Sequence, residues 1–351
     1  GLCHFSFSQK LMTKIIPILG RVLLLFIALY GVILCLMLVL RAFIDGESML
    51  IAGINVAITL LLMPTLLLFP LLLVLRHWRV AAFVAPPFAA FLIAYLPFFL
   101  PRPINDQTDS PHLHLITYNL HAERKILTPM VDLIRQANAD IVTFQEMSPE
   151  ASTAFDTQLA DVYPYRALFP SPDDNPYHGR GLLSRYPITE SKSWPVEYPI
   201  PIRLMRAVVN VNSTPIIIYN FHAPPSYPIY GQDFDIHPRG QQIDDILAMI
   251  AAKNGAVLWM GDFNTNDADV NYPRIVAKMS DTYREVGWGM GFTGPDWSHP
   301  QSQEGLPFIP IHQRMDYIFH NQFFQPVESH VLPTSGGSDH RPLYAVLALT
   351  S

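Results

Sequence analysis

Apolar and polar positions divide this chain near residue 100. Before that point three long runs are almost free of charge: Ile15 to Leu40, Met49 to Leu75 and Val80 to Leu100. A helix needs roughly 20 apolar residues to cross the hydrocarbon core, and each run is long enough. The first exceeds the apolar stretch of a cleaved signal and two more follow it, so three retained transmembrane helices are expected. Burying three such runs in a soluble protein would demand a very large core. Pro64, Pro70, Pro86, Pro87 and Pro97 predict kinks, which neighbouring membrane helices accommodate. Asn55 and Thr59, the main polar interruptions, are expected to pack between helices.

After residue 100 the pattern changes. Pro101 to Pro111 is rich in Pro, Asp, Asn, Ser and Thr, which break periodic structure. Short runs of Ile, Val, Leu and aromatics then read as strands: His114–Asn119, Asp140–Gln145, Gly181–Ser184, Ala207–Val211, Pro215–Phe221, Ala256–Met260, Met315–Phe319 and Leu343–Leu349. Thr128–Asn138 and Gln241–Lys253 carry apolar residues at helical spacing. The expected organisation is a membrane domain over 1–101, a linker over 102–111 and a globular domain over 112–351. Mixed strands and helices place that domain among α/β or α+β folds, with two sheets face to face and helices outside.

Only 15% of residues are charged, against about 25% in soluble domains, which agrees with a membrane portion. Before Leu100 there are six basic and two acidic side chains, a net +4. The remainder carries 17 basic and 27 acidic, a net −10, within a total of −6. An acidic globular part argues against coating nucleic acid, because backbone binding relies on Lys and Arg. Lys10, Lys14 and Arg21 flank the first span, and Arg76 and Arg79 lie between the second and third. Positive flanks inside put the N-terminus in the cytoplasm and everything after Pro101 outside it. Cys3 and Cys35 both lie before residue 100, so the globular part has no disulfide framework.

The chemistry lies at strand ends. Thr117-Tyr118-Asn119 ends one strand with a carboxamide, and Asp140 to Glu146 ends the next with a carboxylate. Tyr219 to His222 ends a third with an imidazole, and Trp259 to Asn264 ends a fourth with Asp262 and Asn264. Asp316 opens a strand, and Asp339-His340 precedes the last one. Hard oxygen ligands such as Glu146 and Asp339 suit Mg²⁺ or Mn²⁺. A phosphate ester needs charge neutralisation, an activated water and a donor to the leaving oxygen. One such residue alone is an ordinary turn or cap; six at strand edges call for a shared site.

Taken in order, Thr-Tyr-Asn119, Asp-Ile-Val-Thr-Phe-Gln-Glu146, Gly181-Leu-Leu-Ser-Arg-Tyr-Pro, Asn-Phe-His222-Ala-Pro, Gly-Asp262-Phe-Asn264, Arg-Met-Asp316-Tyr-Ile-Phe and Ser-Asp339-His340-Arg-Pro resemble the endonuclease/exonuclease/phosphatase superfamily of DNase I-like phosphoesterases. The resemblance implies a four-layered α/β sandwich, an α+β fold after three membrane helices. It implies that Glu146 binds Mg²⁺, with Mn²⁺ or Ca²⁺ as alternatives, and that Asn119 and Asp339 lie nearby. Asp262 would orient or activate the attacking water, and Asn264 and His222 would bind phosphate oxygens. His340 would pair with Asp316 and act as acid, base or electrostatic clamp. His121 stands where some relatives carry Asp or another polar residue.

Three spans before such a domain resemble the VanJ-like membrane branch, as does Gly287 to Pro295. Neutral sphingomyelinases share the catalytic core and the membrane association. A linker of about ten residues reaches some 30 Å at ~3.3 Å per residue, so the site would sample lipid headgroups. Ala223–Tyr230 and Trp288–Trp297 carry apolar residues that would flank a lipid substrate's entrance or form plain surface loops. Arg180, Arg203 and Arg206 have the chemistry to grip a phosphate, but each is expected as a solvated surface charge. Asp173-Asp174-Asn175 is expected as a turn rather than a second cation site. The leading reading is therefore a membrane-tethered phosphodiesterase or phosphatase acting on lipids outside the cytoplasm. The alternatives are a surface nuclease of the DNase I type and an inactive binding module.

Overall fold

The first apolar run forms a single helix, α1 (Leu2–Phe43). The second is broken into α2 (Met49–Leu62) and α3 (Thr65–Val74), bent by 45°. The break falls at Pro64, which has no backbone N–H to continue the helical ladder. α4 (Trp78–Tyr95) follows and carries Pro86 and Pro87 without breaking. These coordinates are a computed structural model, and they describe residues 2–350 apart from 45, 47, 101–110, 122–125, 172–177, 197–201, 225–236 and 297–311. Among the described residues, two helices are long and apolar enough to cross a membrane, or three spans if the bent pair counts as one. The predicted linker lies outside the described residues except for Pro111.

The chain divides into two compact units, one up to Pro97 and one from Phe98 onward. In the first, small residues let helices approach. A Cβ on Gly31 would stand 2.7 Å from the Phe83 carbonyl oxygen. Asn55 is buried, and the Thr59 hydroxyl meets the Tyr95 hydroxyl at 2.6 Å. Leu67, Val74 and Ile93 are exposed, as expected of a surface facing lipid.

The second unit holds twelve described strands: β1 (His112–Asn119), β2 (Ile141–Gln145), β3 (Tyr165–Phe169), β4 (Arg180–Ser184), β5 (Ile188–Val196), β6 (Ile202–Val211), β7 (Thr214–His222), β8 (Ala256–Asp262), β9 (Ser280–Asp281), β10 (Asp316–His320), β11 (Phe324–Val331) and β12 (Leu343–Leu349). The described helices are α5 (Thr128–Ala137), α6 (Pro149–Gln158), α7 (His237–Ala251), α8 (Asn271–Val276) and α9 (Thr282–Val286). One sheet runs β11-β12-β1-β2-β4-β3 and the other β5-β6-β7-β8-β10-β9. Each has a parallel pair at its centre, β1 with β2 and β7 with β8, flanked by antiparallel neighbours. Both central strand pairs therefore end together, at Asn119 and Gln145 in one sheet and at His222 and Asp262 in the other.

Outer faces pack on helices. Met130, Ile134 and Phe155 of α5 and α6 meet Tyr118, Phe144 and Leu183. Ile243, Ile246 and Tyr272 of α7 and α8 meet Phe221, Trp259 and Phe319. The result is the expected helix–sheet–sheet–helix sandwich. Because strand side chains alternate, the inner faces receive Asn119, Gln145, Asn220, His222, Asp262 and Asp316. Gln145 Nε2 donates to Asn220 Oδ1 at 2.8 Å across the two sheets. Asn220 Nδ2 in turn donates to the carbonyls of Phe144 (2.8 Å) and Gly181 (3.0 Å). This amide pair ties the sheets together directly beneath the site.

Strands β3, β5, β9 and β11 have no counterpart in the apolar pattern. They lie at or next to sheet edges and stay partly exposed. β5 reads Ile-Thr-Glu-Ser-Lys-Ser-Trp-Pro-Val, and β11 carries Pro326 beside a register shift before Glu328. Polar and proline-bearing strands are tolerated at edges, where one side needs no hydrogen-bonding partner.

Candidate active site

Three residues that leave central strands adopt left-handed backbone: His121 (φ 54°), Glu146 (φ 54°) and Asn264 (φ 45°). Such conformations are uncommon for residues other than glycine and concentrate where side chains must be aimed. Asn264 is held in place by its own amide, which donates to the Ala223 carbonyl at 2.8 Å. Its backbone N–H donates to Asp262 Oδ1, also at 2.8 Å. Arg239, fully buried on α7, grips the Asn264 carbonyl (2.8 Å) and Asp269 (2.7 Å). Gly261, just before Asp262, has φ 147°, and a Cβ there would lie 1.9 Å from the Phe221 carbonyl oxygen. Gly261→Ala must therefore push β7 and β8 apart at the site. A loss of about 5 °C or more in Tm is expected, and an unchanged Tm would show that the Phe221 carbonyl gives way freely.

The site centres on one oxygen. Asp262 Oδ2 accepts from Asn119 Nδ2 at 2.9 Å and lies 3.7 Å from His222 Nε2 and 3.7 Å from His340 Nε2. Asn119 Nδ2 also donates to Glu146 Oε1 at 3.0 Å, and His222 Nε2 stands 3.6 Å from that oxygen. His340 Nδ1 meets Asp316 Oδ2 at 2.8 Å. The Thr293 hydroxyl accepts the backbone N–H of Met315 (3.0 Å) and Asp316 (3.2 Å), fixing the start of β10. The Ser338 hydroxyl donates to the Asn119 carbonyl at 2.7 Å and accepts the His340 N–H at 3.0 Å. All six of these carboxylate, imidazole and amide side chains are buried.

Burial is the main force on the Asp262 carboxyl and pushes it up to about 7. The His340 charge, the Asn264 N–H and the Asn119 amide pull it back, while Asp316 adds to the rise. For His340, burial opposes protonation, but the charges of Asp316 and Asp262 and the Asp316 hydrogen bond outweigh it. The imidazole is held well above its ordinary value. Asp316 and Asp262 thus favour the protonated imidazole.

Donor chemistry decides whether a divalent cation fits. Ligand atoms of Asp262, Asp316 and His340 all lie within 4.8 Å of one another. Asp316 Oδ1 is buried with no hydrogen-bond partner among the described residues. Several carboxylates packed in a dry cluster, one with an unsatisfied oxygen, fit a hard cation.

Of the predicted residues, Asn119, Glu146, His222, Asp262, Asp316 and His340 converge. Asn264 stands behind Asp262 and bonds the β7 end. Asp339 Oδ1 pairs with His121 Nδ1 at 2.7 Å, and the His121 N–H donates to Asn119 Oδ1 at 2.9 Å. Asn119 thus faces the carboxylates with its NH₂, and its oxygen is engaged by His121. Arg180 corrects the expectation of a surface charge: it is 1% exposed, in contact with the Gly179 carbonyl at 2.8 Å. Burial lowers its pKa to about 10, against the pull of Glu146 and Asp262. Arg206 fits that expectation, pairing with exposed Glu190 at 3.1 Å. Asp173-Asp174-Asn175 and Ser226 to Tyr230 lie outside the described residues. The roles of Gln145, Asn220, Thr293 and Ser338 were missed. For the first two, strand alternation beside Asn119 and His222 was a usable signal.

This sandwich, with its polar strand ends gathered between the sheets, defines the DNase I-like α+β fold. Residues 116–340 match the endonuclease/exonuclease/phosphatase family, and the chain belongs to it. No curated protein matches the chain by sequence. Among solved structures it is similar to an endonuclease/exonuclease/phosphatase family protein from Leptotrichia buccalis, with 19% identity and TM-score 0.54 over 68% of this chain and 100% of that one. An endonuclease/exonuclease/phosphatase from Beutenbergia cavernae is similar at 19% identity and TM-score 0.55, over 68% and 72%. D. rerio TDP2, complexed with a single-strand DNA product, is similar at 19% identity and TM-score 0.55, over 67% and 98%. At these identities the likeness is one of fold.

Proposed function

We propose that the protein is a membrane-tethered, divalent-metal-dependent phosphoesterase that hydrolyses phosphate-ester or pyrophosphate bonds of lipid headgroups at the extracytoplasmic face. The observation that carries the chemistry is the convergence of Asn119, His222 and His340 on Asp262 Oδ2 within 3.7 Å. A cation held by Glu146 and the neighbouring carboxylates would neutralise phosphate charge and make a water more acidic. Asp262, fixed by Asn119 and the Asn264 N–H, presents Oδ2 to take the proton of the attacking water. His340, fixed through Nδ1 by Asp316, offers its Nε2–H to a phosphate oxygen as charge develops. His222 supplies a second donor to the same group.

The lipid part of the reading draws support from the apolar N-terminal helices and from Trp288, which is 72% exposed on one of the two loops read either as flanking a lipid entrance or as plain surface loops. Aromatic side chains favour the headgroup region. The extracytoplasmic placement draws support from Lys10, Lys14 and Arg21 beside the first predicted span and Arg76 and Arg79 between the second and third. The test is phosphate or headgroup release by the full chain in detergent, with Mg²⁺, from phospholipids, sphingomyelin, undecaprenyl pyrophosphate and duplex DNA. Turnover of one lipid class with DNA untouched is expected. Turnover of DNA alone would overturn the lipid reading and favour a nuclease.

A further inference from the structure

We infer that Phe99, Leu100 and Trp288 form the surface on which the catalytic unit meets the bilayer, and that the loop behind Trp288 ties this surface to Asp316 and His340. The inference deepens the phosphoesterase reading above and relies on it only for calling Asp316 and His340 catalytic. The stretch apolar enough to cross a membrane runs from Trp78 to Phe99. Its last two residues, Phe98 and Phe99, belong to the catalytic unit. Phe98 is 1% exposed, and the Arg284 guanidinium lies 4.1 Å from its ring centre. The Phe98 carbonyl accepts the Gly289 N–H at 2.8 Å. The Phe99 ring meets Trp288 edge-on, with ring centres 5.6 Å apart. Phe99, Leu100 and Trp288 are all exposed. The end of a membrane span stays close to the headgroups, so an apolar patch built on that end lies among them. Large aromatic rings favour that layer, whereas water would meet three apolar side chains side by side.

The tie to the site runs through hydrogen bonds of one short loop. The Tyr283 hydroxyl donates to the Trp288 carbonyl at 2.6 Å and steadies its near end. Farther along, the Thr293 carbonyl accepts the Arg341 N–H at 2.7 Å, and the Asp296 N–H donates to the Asp339 carbonyl at 2.5 Å. These two bonds bracket His340. Arg341 Nη2 also donates to Asp296 Oδ1 at 3.0 Å. The Thr293 hydroxyl holds the backbone N–H groups of Met315 and Asp316. Residues 288–296 therefore grip both members of the catalytic pair at one end and Phe98, through Gly289, at the other. A second route leaves the same ring: the Arg314 guanidinium lies 5.8 Å from the Phe98 ring centre and stands two residues before Asp316. Phe98 touches no reacting group and is a positioning residue.

Two measurements on the full chain in phosphatidylcholine liposomes test this. With bromine on the acyl chains, tryptophans in contact with lipid lose emission. Trp288→Phe is expected to remove roughly half of the quenched emission, with Trp78 of the span supplying the rest. An unchanged quench overturns the lipid contact. Hydrogen exchange tests the tie. Phe98→Ala is expected to speed exchange by about 10-fold or more at Gly289, Asp296, Asp316 and Arg341, while the β7 amides of residues 216–221 keep their protection. Phe98→Leu keeps most of the apolar volume, loses the ring and should give the same pattern with smaller changes. Acceleration confined to Gly289, or spread equally into β7, overturns the tie. Neither readout needs turnover. If both behave as expected and no phosphate ester is cleaved, the surface and its tie stand and the phosphoesterase reading falls.

Discussion

Asp262→Asn is expected to remove about 10³-fold of the turnover and, at the same time, to raise the thermal stability of the metal-free protein at pH 8. The two effects share one cause. Asp262 is 1% exposed and lies among other carboxylates, so burial lifts its pKa to about 7 in the fold. In the unfolded chain an aspartate titrates near 3.9. Between those values the folded state binds a proton that the unfolded state does not, so metal-free stability falls as pH rises across that window. Asparagine carries no such penalty and keeps the shape. The Tm advantage of the variant should be several degrees at pH 8 and should vanish near pH 4. Added Mg²⁺ should stabilise wild type more than the variant. A variant with lower Tm than wild type at pH 8 without metal would show that Asp262 is a structural rather than a chemical residue.

Arg314→Leu is expected to lower Tm by about 10 °C, from the roughly 3–5 kcal/mol cost of leaving buried charge uncompensated. Arg314 is 2% exposed and grips Asp281 through two hydrogen bonds, Nη1 to Oδ1 at 2.9 Å and Nη2 to Oδ2 at 2.7 Å. It also bonds Asp267 and lies 4.4 Å from the Tyr317 ring centre. Asp281 caps α9 through the N–H of Tyr283. Burial alone would raise the Asp281 carboxyl, but the Arg314 charge and hydrogen bonds outweigh it and hold the group below its usual range. A depressed carboxylate contributes stability above its unfolded pKa and loses it as pH falls through the folded one. In wild type this contribution should fade only in acid, below about pH 4. A Tm shift under 2 °C in the variant would mean that the cluster is not what locks β10. Because Arg314 stands two residues before Asp316, activity should fall with stability.

Much of the site was legible because polar residues interrupt apolar strands at their ends. Asn119, Glu146, His222, Asp262, Asp316 and His340 each mark the place where a strand leaves or begins. Parallel pairing of β1 with β2 and of β7 with β8 then brings four of those ends to one edge of the sandwich. The choice of Asp262 as the shared neighbour was not legible, since it depends on two sheets meeting face to face. Nor was the pairing of His121 with Asp339, which joins residues 218 positions apart. Arg180 was misread because an arginine in a short strand looks like an edge charge. Its neighbours across the sheets, Gln145 and Asn220, decide otherwise. The kink at Pro64 was legible; its size was not.

The central claim is that this cluster is a metal-dependent phosphoesterase centre. Hydrolysis by the full chain should be followed with Mg²⁺, after EDTA, and after EDTA with Mn²⁺ restored, beside the Asp262→Asn chain under the same conditions. Turnover that disappears with EDTA, returns with Mn²⁺ and is absent throughout in the variant is the predicted result. Turnover that persists in EDTA, or survives the loss of the Asp262 carboxylate, would contradict it.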